Sequence, residues 1–434
     1  MAEIRPLRAW RYSSEHIENI EGLVSPLFDV VSDKQRESLY ANPLCSIHLS
    51  VPNGSDPIRD AVSTLADWKK TGVLEQDDLP SIYVYYQYFT LPGSDKEYCR
   101  KGFIANLRIY DWENGTLLRH ENTMPFSVND RMDLLSQTEL NVSPTHGLYT
   151  DGEMRIEKLM DQAMESPLYE TEDYQGVRDA FGVIHDVAVI QEIIDIIRDK
   201  QIILADGHHR YEGSLLNQKK QESSNPNHTG KEGYNYHMMW LTNTEADDLR
   251  ILPTHRIVRG LSDFSEEQLL EKLSEYFFIK PIPEPESINE IILGKKWAFG
   301  LLVNDKAYKI RLNPELVHTI DWNFPDAIKE LDLTVMHYFV FEKCLGIPGI
   351  DQRGNRNLSF ERNFTKCVHD VETGEAQCAI ITKEISIETV KKVCYSGYTL
   401  PQKSTYFYPK VICGFLFGSI KDDEFNSFFD DAFK

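Results

Sequence analysis

"ILADGHHRYEGSLLNQ" (residues 203–218) runs three apolar residues into Asp206 and Gly207, then into two adjacent histidines, an arginine and a leucine-bearing stretch. Just upstream, "HDVAVIQEIIDIIRDKQ" (185–201) places Val189, Ile190, Ile193, Ile196 and Ile197 on one helical face. "QIILA" (201–205) then reads as a short buried strand. Helix, strand, helix is the signature of an α/β (α+β) protein, here expected to be built on a mixed sheet.

A strand that ends in Asp-Gly and opens into a helix leaves three or four backbone N–H groups unpaired at its carboxyl end. The helix dipole adds roughly half a positive charge there. Gly207 lets a ligand approach the backbone, and Arg210, in the first turn, can fork onto phosphate oxygens. The combination suits an anion, above all a phosphate. On this reading Arg210→Ala folds near-normally and binds phosphate more weakly. Asp206 caps the helix or holds a hydroxyl or a metal. The competing reading is a plain helix start with polar histidines. His208 and His209 would point about 100° apart, which makes them poor co-ligands, whereas zinc spacing on a helix is three or four residues.

Further segments carry related chemistry. "ILPTHRIVRG" (251–260) sets His255 and Arg256 after Pro253, either as part of a polyanion pocket or as a turn with surface charges. "KSTYFYPK" (403–410) offers Lys403, Ser404 and Thr405 to a phosphate without the glycine framework of a P-loop. Its aromatics stack on a base or pack a core. "RHE" (119–121) contains His120 and ends a strand-like run, and "SPTHGLY" (143–149) has the small residues of close packing or ligand approach. Asp29 in "SPLFDVVSD" (25–33) is a turn residue or a general base.

Composition bounds the rest. The chain has 434 residues, 41% of them hydrophobic, which is enough for a packed core and argues against disorder. A net charge of −22 argues against non-specific nucleic-acid binding. Seven scattered cysteines without a CxxC pair suggest a reduced, cytoplasmic chain. No apolar run is long enough for a membrane span. "SIYVYYQYF" (81–89) and "GFIANLRIYDW" (102–112) read as strands, "DPIRDAVSTLADWKKTG" (56–72) and "DRMDLLSQTE" (130–139) as helices, and "NQKKQESSNPNHTGKEG" (217–233) as an exposed loop. Ser265, with Gln268 three residues on, starts a capped helix. "SFERNFTKCVHD" (359–370) is expected to add a strand. Three consecutive regions are expected: 1–115, 116–260 with the phosphate box, and 261–434.

"PLFDVVS", "RHE", "DR…LL", "SPTHGLY", "ADGHHRYE", "PTHRIV" and "KSTYFYPK" occur here in the order found in a bacterial and archaeal family known only as a domain of unknown function. The chain resembles that family along essentially its whole length. It departs at Leu27 and Phe28, where the family has a second proline and a tyrosine. "ADGHHR" also resembles the phosphate box of the ParB/sulfiredoxin-like superfamily, which includes free-serine kinases. That resemblance implies a ParB/sulfiredoxin-like phosphate-binding core with flanking N- and C-terminal α/β regions. It implies that Gly207, His209 and Arg210 hold nucleotide phosphates, that Asp206 lies near metal or substrate, and that Asp29 is the base. It also implies a link to serine metabolism. Sulfiredoxin chemistry is not expected, because His208 stands where a reactive cysteine is needed.

The expectation is a small-molecule phosphotransferase that uses ATP or ADP with Mg²⁺, acting on serine or a related hydroxy amino acid. His255, Arg256, Lys403, Ser404 and Thr405 would assist at the phosphates, and Asp206, Asp29 and His208 are the catalytic candidates. The alternatives are a phosphatase or metal-dependent hydrolase using Asp206, His208, His255 and His120, and a non-enzymatic nucleotide-binding module.

Overall fold

A computed structural model describes residues 1–27, 31, 33–91, 94–173, 175–352, 354–401 and 403–425. Asp29 lies outside the described residues. The chain forms two compact units, and neither is one continuous stretch. Unit 1 comprises 1–119, 123–249 and 409–434; unit 2 comprises 120–122 and 250–408. This division differs from the three consecutive regions read from the sequence. Strands drawn from both of the first two regions hydrogen-bond into one sheet, and a sheet cannot be split between compact units.

That sheet has nine strands. In chain order they are β1 (Ile4–Arg5), β2 (Ile82–Thr90), β3 (Glu97–Arg108), β4 (Leu117–Arg119), β5 (Thr145–Tyr149), β6 (Tyr169–Glu172), β7 (Arg178–Ile184), β8 (Ile202–Asp206) and β9 (Tyr236–Asn243). The spatial order is β6-β7-β2-β3-β9-β5-β8-β4, with β1 added against β3. The pairs β9–β5 and β8–β4 are parallel and the remainder antiparallel, so the sheet is mixed.

The sheet is the middle of three layers, as the alternation of its side chains shows. Tyr83, Tyr85, Ile104, Met238 and Trp240 enter one core. Their neighbours Ile82, Val84, Tyr86, Phe103, Met239 and Leu241 enter the other. Helix α1 (Pro57–Thr71) covers the first face with Ala61, Leu65 and Trp68, and the chain's last apolar run, from Val411 to Phe417, packs there too. Asp56 accepts from Arg59 N–H to start α1, and Gly72 stops it at φ 77°. Helix α2 (Pro125–Thr138) begins five residues before the "DRMDLLSQTE" stretch. The second face is covered by α3 (Arg155–Ala163), α4 (Val187–Arg198) and α5 (His208–Ser224). The isoleucines of α4 point inward as the spacing predicts. Helix α5 runs to Ser224, through the polar stretch expected to be a loop. Gln, Lys and Glu are good helix formers, and on an exposed face polarity is no obstacle to helix.

Unit 2 holds a six-stranded antiparallel sheet: β10 (His255–Val258), β11 (Phe277–Ile282), β12 (Ala298–Val303), β13 (Lys306–Leu312), β14 (Leu358–Glu361) and β15 (Cys378–Ile381), in the order β11-β13-β12-β15-β10-β14. Ser265 caps α6 (Glu266–Ser274) by accepting from Gln268 N–H, as expected. "SFERNFTKCVHD" gives a strand only to Glu361. Asn363 then caps a helix, α7 (Phe364–Glu372), by accepting from Lys366 N–H. "THRIV" is an interior strand rather than a turn, and His255 and Arg256 are buried.

Gly102 of β3 is one point where the sheet leaves no room for a side chain: a Cβ there would clash with Trp240 Nε1 and lie 2.7 Å from Thr242 Cγ2. Gly102→Ala is expected to overpack this point and lower stability by about 1–3 kcal/mol. The check is the midpoint of chemical denaturation.

Candidate functional site

Four sequence segments meet at the end of β8. A β-bulge between Leu204 and Asp206 shifts the register against β5, so that Asp206 stands opposite His146. Bulges re-aim side chains in this way. Gly207 then turns the chain into α5 with φ 90°, a conformation glycine adopts without penalty. A Cβ at Gly207 would meet Thr145 Cγ2 at 2.5 Å and Arg210 Nη2 at 2.9 Å. The glycine is therefore required by packing against "SPTHGLY" as well as by backbone geometry.

Asp206 is ion-paired on both oxygens. Lys410 Nζ binds Oδ1, and Arg210 Nη2 donates to Oδ2 at 3.2 Å. Burial pushes the carboxyl up, but Lys410 and Arg210 beside it outweigh burial and hold it well below the usual carboxylate range. The Arg210 guanidinium also donates from Nη1 to Ser143 Oγ (2.7 Å) and to the Pro144 carbonyl (2.8 Å). Arg210 thus ties α5, β8 and the entry to β5 together. His209 Nε2 accepts the Met124 N–H at the head of α2 (3.0 Å), so that nitrogen carries no proton. His208 is buried in the first turn of α5. Its N-cap, Gly207, has no side chain with which to cap the helix.

Lys410 is held in place by a buried polar chain across the sheet face. Arg100 of β3 donates to the Pro409 carbonyl and to Gln87 Oε1. Gln87 Nε2 donates to the Lys410 carbonyl and to Asp179 Oδ1, both at 3.0 Å. Tyr85 OH donates to the same Asp179 oxygen at 2.6 Å. The Arg100 guanidinium lies 4.9 Å over the Trp240 ring, and burial pulls its pKa down to about 10. Its Nε and Nη1 have no hydrogen-bond partner among the described residues. His146 stacks on Trp240 with ring centres 4.6 Å apart and hydrogen-bonds Thr242 Oγ1 at 2.8 Å. Burial, reinforced by Arg100, keeps its imidazole neutral. Among the described residues the centre sets Lys410, Arg210 and Arg100 against Asp206 and against Asp248, whose charge acts on Arg100 and whose carboxyl burial pushes up to about 6. Asp179 is pushed up to about 7 by burial and carries only part of a charge near neutrality.

The remaining expected residues belong to unit 2. His255 Nδ1 accepts the Thr382 N–H at 3.2 Å, and burial lowers its pKa to about 4. Arg256 donates to the Thr254 carbonyl. Burial brings it down to about 9, against the pull of Glu121. Thr405 Oγ1 hydrogen-bonds His120 Nε2 at 2.7 Å, and Ser404 donates to the Pro401 carbonyl. Lys403 has φ 55° in the same segment. The boundary between the units falls inside "KSTYFYPK", after Tyr408. Its last residue, Lys410, is the one that reaches Asp206.

The sequence reading missed Lys410, Arg100, Gln87, Asp179 and His146. Two signals were present: Lys410 closes one quoted motif, and Ser143 and His146 lie in another. Arg100 shares its inward parity with Gly102 and Ile104, a charged residue on an otherwise buried face of β3.

The family model described as "Protein of unknown function (DUF1015)" matches residues 4–334. The chain belongs to this family. Among solved structures, a conserved hypothetical protein from Pyrococcus furiosus is similar at 13% identity and TM-score 0.34, over 68% of this chain and 89% of that one. A free serine kinase mutant in complex with AMP is similar at 12% identity and TM-score 0.39, over 75% and 94%. SbnI with a C-terminal truncation, from Staphylococcus aureus, is similar at 11% identity and TM-score 0.36, over 74% and 90%. No curated protein matches the chain. Among the described residues no helix is long and apolar enough to cross a membrane.

Two outcomes follow from this geometry. Arg210→Ala leaves Asp206 half compensated in a buried setting and removes the tie to Ser143. It is expected to destabilise unit 1 by roughly 3–5 kcal/mol rather than fold normally, read as a lowered melting temperature. Asp179 binds its proton more tightly folded than unfolded, so its contribution is full below about pH 4 and is lost as pH rises through about 7. Asp179→Asn, which mimics the protonated acid, is expected to lose less stability than the wild type between pH 5 and pH 8. Urea midpoints at the two pH values check this.

Proposed function

We propose that the chain is a nucleotide-dependent phosphotransferase acting on a small hydroxylated metabolite, with the donor phosphates seated at the N-terminus of α5. One observation carries the reading. A long helix opens at Gly207 beside Lys410 and Arg210, which both bind Asp206, with Arg100 buried behind Lys410. A helix N-terminus flanked by cationic side chains is what a phosphate needs. Phosphoryl transfer asks a protein mainly for positioning and charge neutralisation.

In this reading Lys410 and the first amides of α5 contact phosphate. Asp206 and Arg210 are positioning residues that orient Lys410 and the turn. Both Asp206 oxygens are engaged by cations, so Asp206 does not fit a Mg²⁺ ion. Among the described residues no three His, Cys, Asp or Glu side chains are grouped to hold a metal. Mg²⁺ therefore enters as part of the nucleotide substrate, and the described residues offer no ligand set for the metal-dependent hydrolase reading. The acceptor hydroxyl oxygen forms a bond to the γ-phosphorus, the bond from that phosphorus to the β–γ bridging oxygen breaks, and the hydroxyl proton passes to a carboxylate. Asp29 is assigned that role by the motif resemblance, as is serine or a related hydroxy amino acid as acceptor.

The test combines calorimetric titration of MgATP and MgADP with assays of nucleotide turnover, ADP released from ATP or AMP released from ADP, on serine, threonine and homoserine. Lys410→Ala also leaves Asp206 half compensated and so lowers the melting temperature; below that temperature it is expected to weaken nucleotide binding at least tenfold. Asp29→Asn is expected to keep binding and lose turnover by at least a hundredfold. Nucleotide binding without any nucleotide turnover would favour the non-enzymatic module. Absence of both binding and turnover would overturn the proposal.

A further inference from the structure

Unit 2 carries a basic strip at one edge of its sheet. β11 is the edge strand and pairs with β13 alone among the described strands. Phe278, Lys280 and Ile282 of β11 stand directly opposite Arg311, Lys309 and Ala307 of β13. Ile282 and Ala307 enter one core, so strand alternation puts all six side chains on that face of the sheet. A short helix, Ile288–Ile292, covers part of the face: a Cβ on Gly300, the partner of Lys309 on β12, would clash with Ile288. Past the helix the face opens to solvent. Lys280 and Arg311 are exposed, Lys309 is half-buried, and Phe278 is 57% exposed.

The charge of the strip is of one sign, in a chain whose net charge is −22. Burial lowers the pKa of Lys309, and the charged groups that lower it further are Lys295, Lys280 and Arg311, all cationic. Among the described residues Lys280, Lys309 and Arg311 form no ion pair. Lys280 and Lys309 oppose each other across paired strands, an arrangement that destabilises a sheet. Protection of an open edge accounts for Lys280 and Pro281 on β11. It does not account for Lys309 and Arg311, which lie on the second strand, or for an exposed phenylalanine opposite Arg311.

Each property sets a requirement on the partner. Unpaired cations call for anions. Lys309 and Arg311 are two residues apart on one strand, about 6.7 Å, which is also the spacing of alternate side chains on any extended chain. Phe278 adds an apolar contact on the Arg311 rung. Small-molecule sites are concave, whereas this is an open sheet face. At physiological salt, charges more than about 8 Å apart are largely screened. A partner confined to the strip therefore feels its cations, whereas a membrane or a long nucleic acid extends past it onto an acidic chain. We infer that the strip docks a short extended segment of a partner protein, with Asp or Glu at alternate positions reaching the Lys280–Lys309 rung and Arg311, and an apolar residue against Phe278.

Fluorescence anisotropy of labelled Val-Glu-Val-Glu-Val, titrated with the full chain at pH 7.5, tests the inference. This peptide is expected to bind, and its counterpart with Gln in place of Glu to bind at least tenfold more weakly. Raising NaCl from 50 to 500 mM is expected to weaken the Glu peptide at least fivefold. Lys280→Gln, Arg311→Gln and Phe278→Ser, all at exposed positions, are each expected to weaken it at least threefold at an unchanged melting temperature. Absence of binding by the Glu peptide, equal binding of the Gln peptide, or binding untouched by Lys280→Gln and Arg311→Gln would overturn the inference. So would tighter binding of a labelled oligothymidylate or of phosphatidylserine vesicles that the same variants abolish, because the strip would then serve a nucleic acid or a membrane.

Discussion

Asp206 governs the architecture of unit 1, because three separate parts of the chain are charged or hydrogen-bonded through it. The carboxylate ends β8, holds the first turn of α5 through Arg210, and receives Lys410 from a segment two hundred residues downstream. Each partner is itself held: Arg210 by Ser143 and the Pro144 carbonyl, Lys410 by the grip of Arg100 and Gln87 on its backbone. The positions of the cations at the helix start are thus set by the sheet rather than by flexible side chains. A site built this way is preorganised, which is the condition under which charge neutralisation is effective.

The same network is costly as a stability device. Removing two cations and a carboxylate from water costs several kcal/mol per ion, and well-packed hydrophobic replacements are often neutral or stabilising. The surrounding cores are already rich in aromatic and aliphatic side chains, with Tyr83, Tyr85, Phe181 and Trp240 packed on this face. A fold needing only stability would extend that packing through Arg100, Asp179 and His146. Retaining buried charge, with Arg100 nitrogens unmatched among the described residues, weighs toward a ligand that completes the electrostatics.

Much of this was legible in the sequence where local physics dominates. The α4 isoleucines repeat at helical spacing, the Asp206–Gly207 junction follows an apolar run, and Ser265 caps its helix as its spacing with Gln268 implies. The misreadings have specific causes. Residues 218–224 lie on an exposed or half-exposed part of α5, and polarity alone does not distinguish an exposed helix from a loop. "THRIV" looked like a charged turn because His255 and Arg256 interrupt an apolar run, yet both are buried inside a sheet. Lys410 was passed over for Lys403, Ser404 and Thr405 because those three together resemble phosphate ligands. Which lysine reaches Asp206 depends on where residues 409–413 lie across the sheet, and that is set by Arg100 and by pairing with Ser25 and Pro26. These long-range contacts leave no local pattern.

The histidines make the same point about environment. The adjacent pair His208–His209 draws attention in the sequence, yet His209 spends Nε2 on the head of α2. His146 and His337, unremarked in their motifs or outside them, are the rings whose state the fold controls. One is stacked on Trp240 beside Asp206, and the other has its tautomer set by Gln352. In both, burial removes the proton that bulk water would supply near pH 6, and the imidazole becomes a neutral hydrogen-bonding group. A histidine kept neutral by its surroundings offers a ligand one donor or one acceptor, according to which nitrogen the protein has already claimed. In unit 2 Gln352 has claimed Nδ1–H, and what remains on the ring is an acceptor.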